Sequence, residues 1–229
     1  FENYIKQQVY ESYQRLTHRL SNSQIMAILG IVVGLCAGVG AFIFNTLLHT
    51  ITELLTSWTP ADQAQWLYLV YPGIGIILAT LFVKYIVKDG ISEGVTRVLY
   101  AMSRGGSRIK GHNTWTSIVG GATTIGFGGS VGPESPIIMT GAAIGSNVGK
   151  FLRMNYRNTT LMIGCGVAAA CAAIFKAPIT GVAFVIEIIM MDLTISSIIP
   201  LSIALPSMLM RSGANISGKI VSMFIFISV

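Results

Sequence analysis

The chain has 229 residues, of which 52% are hydrophobic and only 10% charged, with a mean hydropathy of +0.69. That combination excludes an ordinary soluble domain and describes a polytopic membrane protein. The net charge of +6 comes from basic residues spread over short connecting segments, which reads as a topology signal and argues against a nucleic-acid surface.

Residues 1–24 open with FENYIKQQVYESYQRLTHRL, too polar for a cleaved signal peptide. Tyr4, Ile5, Val9, Tyr13, Leu16 and Leu20 recur at helical spacing with Lys6, Arg15 and Arg19 among them, which predicts an amphipathic helix on a membrane surface. Residues 25–48 are uncharged and longer than the ~20 residues that cross a bilayer, so a tilted span is expected. Gly30, Gly34 and Gly38 repeat along it and offer a small-residue face for close helix packing. The connector from Glu53 to Gln65 holds Pro60 and acidic residues but no Lys or Arg, whereas the segments before residue 25 and between Lys84 and Lys110 are basic. Residues 1–24 and 84–110 are therefore expected in the cytoplasm, with Trp58, Trp66, Tyr68 and Tyr71 at the opposite interface. Residues 66–87 form the return span.

Beyond it the pattern breaks into shorter pieces: 92–103, a Gly-rich 115–131, 133–152, the small-residue 158–174, and 177–193, which Pro178 introduces and which carries Glu187. Broken segments that meet inside a membrane point to a transporter site, because irregular backbone is tolerated at that depth only where it lines a polar cavity. Cys36, Cys165 and Cys171 lie in apolar runs without His partners at ligand spacing, so neither a disulfide framework nor a metal site is expected. No cofactor is expected either.

The chain is organised around residues 126–149, GFGGSVGPESPIIMTGAAIGSNVG, where Glu134 stands far from any base, the nearest in sequence being Lys110 and Lys150. An ionisable residue in such a setting is a functional-site candidate; the plainer alternative is a solvated interfacial residue. Gly128, Gly129 and Gly132 expose backbone without side-chain cover, and Pro133 and Pro136 favour a helix start. Unpaired N–H groups at a helix N-terminus attract an anion, and the Glu134 carboxylate competes for that place.

Gly132-Pro133-Glu134-Ser135-Pro136, followed by IIMTGAAIGSNVGK, resembles the G-[KR]-E-G-P element of the CLC chloride channel and transporter family and the helix after it. GCGVAAACAAIFKAPITGVAFVIE, residues 164–187, resembles the family's small-residue helix, A-P turn and following helix. With the earlier spans the resemblance covers residues 25–204. It implies an all-α fold of short, tilted and broken helices, half of an inverted-repeat architecture, and it implies a gating role for Glu134, with Gly132, Pro133 and Ser135 beside the anion. The family's first motif, G-S-G-I-P, is met by Ser92-Glu93-Gly94-Val95-Thr96, so Glu93 replaces a serine that helps to hold the anion, and Gly94 and Val95 complete that loop. An ionised Glu93 repels an anion unless it turns to water, is protonated or pairs with Arg97. In the glutamate element the usual basic residue is Pro133 and the second glycine is Ser135. Glu187 matches a position on the family's proton path, but the acid that usually follows it is Ile188, which cannot relay a proton.

The activity the resemblance implies is anion transport, chloride by default. A deprotonated Glu134 fills the helix-start pocket, and its protonation or displacement frees the amides. The loss at Ile188 slightly favours a passive channel over H+/Cl- exchange, and the altered first motif leaves a fluoride-selective relative open. A multi-pass homodimer in the lipid bilayer is implied, and no enzyme. LPSMLMRSGANISGKIV, from residue 205, faintly resembles an element of the family's second half, so residues 205–229 are expected to be a transmembrane helix of that half, with a junction near Ala204 and a longer biological chain. Two decoys are set aside. Gly128-Gly129-Ser130-Val131-Gly132 fits G-x-S-x-G and offers an intramembrane serine hydrolase using Ser130 and His112 as the alternative of another class, but no strand precedes the serine. GANISGK, residues 213–219, nearly fits a phosphate loop, yet Ile220 stands where Ser or Thr should bind the metal.

Overall fold

The computed structural model of the protein describes residues 21–57, 65–87, 94–103 and 106–189. The expected surface helix before residue 21, Trp58, Glu93 and the expected helix 205–229 lie outside the described residues. All regular structure within them is helical: α1 Asn22–Ser57, α2 Gln65–Phe82 with a π turn Val83–Val87, α3 Gly94–Ser103, α4 Asn113–Gly126, α5 Glu134–Phe151, α6 Tyr156–Phe175 and α7 Pro178–Ile189.

Proline and glycine set most of these boundaries. Lys176 takes a left-handed conformation (φ 55°) that ends α6, and Pro178 begins α7 with its φ already fixed and no N–H to leave unpaired. The first span is longer than the apolar run predicts. Its 36 residues extend ~54 Å, against a hydrocarbon core of ~30 Å. Hydroxyls explain the difference: Thr50 donates to the carbonyl of Thr46, Thr52 to that of Leu48 and Thr56 to that of Thr52, each at 2.9 Å. A threonine whose hydroxyl bonds back to its own helix does not interrupt it.

The centre of the bundle is the α5–α6 pair, the most extensive contact in the fold. Gly141, Gly145 and Gly149 recur every four residues along α5. A Cβ on Gly141 would collide with the Gly166 carbonyl, one on Gly145 with the Met162 carbonyl, and one on Gly149 would stand 2.7 Å from Cγ2 of Thr159. The two backbones therefore touch, and residues 161–173 of α6 are all buried. Such contact gains dispersion energy between helices where lipid offers no hydrophobic drive. On the other flank of α6, the Gly30, Gly34 and Gly38 face of α1 is buried as its spacing predicts, with Val33 against Gly166 and Gly40 against Thr140. Gly181 brings α7 onto the Ala168 carbonyl.

The outer surface is apolar, with Val70, Ile76 and Ile77 on α2 each more than half exposed. Two described helices, α1 and α6, are long and apolar enough to cross a bilayer, and α2 and α7 carry shorter apolar stretches.

Candidate functional site

The glutamate loop is built from the end of α4. Gly128 adopts φ 86°, its N–H bonds the Ile125 carbonyl, and the Gly129 N–H bonds the Thr124 carbonyl, both at 2.9 Å. This is a Schellman ending, and the positive φ is open to glycine at little strain. Gly129 is held small as well, since a Cβ there would lie 2.6 Å from the Thr124 carbonyl oxygen.

After Gly132 the chain turns back into the bundle and α5 begins at Glu134. A Cβ on Gly121 would meet Pro136 at 2.5 Å and Phe44 at 3.2 Å, whereas Gly126, at the end of α4, faces Ile51. The start of α5 is therefore set back by more than one helical turn from the end of α4, ~7 Å along its axis.

The residue before α5 is Pro133, which makes no side-chain cap. A serine, threonine or aspartate there would accept from the first amides; proline leaves them bare. The first bond of the helix is Ile137 N–H to the Pro133 carbonyl at 3.4 Å, and Pro136 has no N–H to give. The N–H groups of Gly132, Glu134 and Ser135 have no hydrogen-bond partner among the described residues. The exposed Glu134 side chain curls over this place, its Oε2 lying 3.3 Å from where a Cβ on Gly132 would stand. A carboxylate at a helix N-terminus complements the local dipole, and any other anion would compete for the same amides.

The first-motif loop arrives at the same point. Gly94, the first residue of α3, donates its N–H to Ser135 Oγ at 3.0 Å, and a Cβ on Gly94 would collide with the Ser135 carbonyl. Ser135 thus takes up one of the amides at the start of α3. Next to this contact a cleft of about 410 Å³ opens between α2, α3, α4 and α5. Its polar lining includes Arg97, Asn113, Thr116, Ser117 and Ser135, with Gly94 at one edge. Asn113, only 3% exposed, was missed by the sequence reasoning, although a polar residue opening a helix next to apolar positions is a readable signal.

The structure therefore brings Gly132, Pro133, Glu134, Ser135 and Gly94 together. Val95 is half-buried against the core and does not line the cleft. Glu187 is exposed on the last turns of α7 and lines neither of the two clefts described in this chain. The hydrolase alternative fails on geometry. His112 precedes the first residue of α4 and Ser130 follows its end, so 14 helical residues separate them, or ~20 Å, far beyond the hydrogen-bond reach that a nucleophile and base require.

Close glycine-mediated packing, an apolar exterior and interrupted helices, one of them starting at an exposed glutamate, describe an all-α membrane protein. The pattern of the family described as Voltage gated chloride channel matches residues 75–214, more than half of the sequence, and the chain belongs to this family. Similar relatives include the H(+)/Cl(-) exchange transporters ClcA of Vibrio vulnificus (strain YJ016), 28% identical over 169 residues, and of Vibrio parahaemolyticus serotype O3:K6, 25% identical over 187 residues. Those alignments take in 69% and 77% of this chain but 35% and 39% of the relatives, so the chain spans little more than a third of their length. Two solved structures share the fold: a slow cyanobacterial Cl-/H+ antiporter (TM-score 0.67, 23% identity, 86% of this chain and 48% of that one) and a CLC-type fluoride/proton antiporter (TM-score 0.62, 21% identity, 87% and 52%).

Proposed function

We propose that this chain forms one half of a CLC-type anion pathway, with chloride as the anion and Glu134 as its gate. The observation that supports it most is the uncapped start of α5, where the amides of Gly132, Glu134 and Ser135 are bare and the Glu134 carboxylate lies over them. Ionised, that side chain occupies the pocket; protonated or swung away, it yields the amides to a halide. Residues 25–204 belong to the first half of the transport domain and residues 205–229 to the second. The N-terminus is cytoplasmic, and the complete protein is a multi-pass homodimer without enzymatic activity.

Ile188, which cannot carry a proton onward from Glu187, slightly favours passive conduction. A second reading, proton-coupled exchange, is favoured by the names of the similar proteins, which are exchangers and antiporters. Full-length protein in liposomes separates the two. Chloride movement that drives protons uphill reports exchange, and a Nernstian chloride reversal at every pH gradient reports a channel. Competition between fluoride and chloride fixes the selectivity. Absence of any halide flux from the purified full-length protein overturns the proposal.

A further inference from the structure

At the far end of α5 from Glu134 lies a second cleft, of about 650 Å³, whose lining includes Arg108, Gly149, Lys150, Arg153, Tyr156 and Thr159 and, among the described residues, no acid. Among the described residues the acid nearest to Lys150 in sequence is Glu134, and the length of α5 holds it ~24 Å away. Arg108 and Lys150, like charges on one cavity wall that Arg153 also lines, repel one another and attract an anion.

The frame that carries them is fixed. Ser107, fully buried, shares a 2.6 Å hydrogen bond with the Thr160 hydroxyl, and its carbonyl accepts from Ser146 Oγ at 2.8 Å. Ser146 Oγ in turn accepts the Ile109 N–H at 2.8 Å. Tyr156 donates its hydroxyl to the Met102 carbonyl at 2.8 Å. Arg153 stands in a left-handed turn (φ 49°). The cations are thus mounted on backbone tied to three helices, which distinguishes this place from a loose run of surface lysines.

Depth selects the source of the anion. The cleft opens where the apolar α6 begins, and Tyr156, its first residue, is 55% exposed beside it, as befits a ring at the level of lipid headgroups. We propose that this cleft binds the phosphate of an anionic phospholipid headgroup in the leaflet on the basic side of the membrane, and so anchors the end of the helix that starts at Glu134. The proposal is independent of which ion the pathway carries.

The test uses full-length protein in detergent, with phosphatidylglycerol, phosphatidylcholine and inorganic phosphate as probes and retained lipid read by native mass spectrometry. Phosphatidylglycerol is expected to be retained over phosphatidylcholine, with affinity falling about fivefold for each cation neutralised in Arg108→Gln, Lys150→Gln and Arg153→Gln. Lys150→Arg is expected to keep the binding, and Lys84→Gln, outside the cleft, to leave it unchanged. The single variants are compared by retained lipid per folded molecule, so a poorly folding combination does not obscure the result. Equal retention of the two lipids, retention unaffected by the three neutralisations, or loss equally large in Lys84→Gln overturns the proposal. Displacement of phosphatidylglycerol by low-millimolar inorganic phosphate assigns the site to soluble phosphate and overturns the lipid source.

Discussion

Glu134 and Ser135 are neighbours with opposite tasks. Glu134 leaves its carboxylate exposed over bare amides, while Ser135 uses its hydroxyl to accept the Gly94 N–H and tie two helix starts together. On the proposed reading, Glu134→Gln removes the charge that competes with the halide. Halide flux through liposomes at neutral pH is then expected to rise to the level the parent protein reaches in acid, and its pH dependence to flatten. Flux and pH dependence both unchanged would remove Glu134 from the gate. Ser135→Ala strips the acceptor from Gly94 and leaves a partly buried N–H unmade, a loss of about 0.5–1.5 kcal/mol. The expected outcome is a lower unfolding midpoint in detergent without collapse of the fold. The Glu134 motif was legible because glycine and proline speak locally about backbone. The Gly94–Ser135 bond was not, since it joins residues 41 positions apart and depends on how α3 meets α5.

Elements here are held by what is missing from their side chains. Gly141, Gly145 and Gly149 let α5 touch α6, and each position has backbone or a branched side chain where a Cβ would go. Gly145→Val is therefore expected to force the helices apart and destabilise the bundle by about 1–3 kcal/mol, the usual cost of overpacking. Gly120 supplies the contrast. Nothing lies within 4 Å of a Cβ built on it, and alanine favours a helix over glycine by ~1 kcal/mol, so Gly120→Ala is expected to be neutral or stabilising in the same denaturation assay. Helix extents were largely readable from Pro178 and the apolar runs, although the Gly-rich segment expected over 115–131 ends its helix at Gly126. The end of α1 was not, because Thr50, Thr52 and Thr56 look like a loop in composition and only their bonds back to the helix show otherwise. The buried link through Ser107, Ser146 and Thr160 escaped for the same reason: three hydroxyls dispersed over three segments carry no joint signal until the helices pack.

At the scale of the molecule, the described residues gather Arg108, Lys150 and Arg153 at one end of the bundle and leave Glu53 and Lys176 away from it. Gly126 at the end of α4 packs on Ile51, and Phe127 packs on Gly75, so the last turns of α1, which carry Glu53, lie with the close of α4. The start of α4, the end of α5 and the start of α6 gather at the other end with Arg108, Lys150 and Arg153. An excess of Lys and Arg marks the cytoplasmic side of a membrane protein, because cationic loops resist translocation. Ser103 is exposed at the basic end, where Tyr156 bonds Met102, and Ser57 is exposed at the other. In a background lacking Cys36, Cys165 and Cys171, a membrane-impermeant maleimide applied to intact cells is expected to label Ser57→Cys, and to reach Ser103→Cys only after the membrane is opened. Labelling in the reverse order would invert the topology and carry the basic cleft to the outer face. Labelling of both positions in intact cells would mean that the two ends do not lie on opposite sides of one bilayer, and the set-back start of α5 would then lose its meaning as a point inside the membrane.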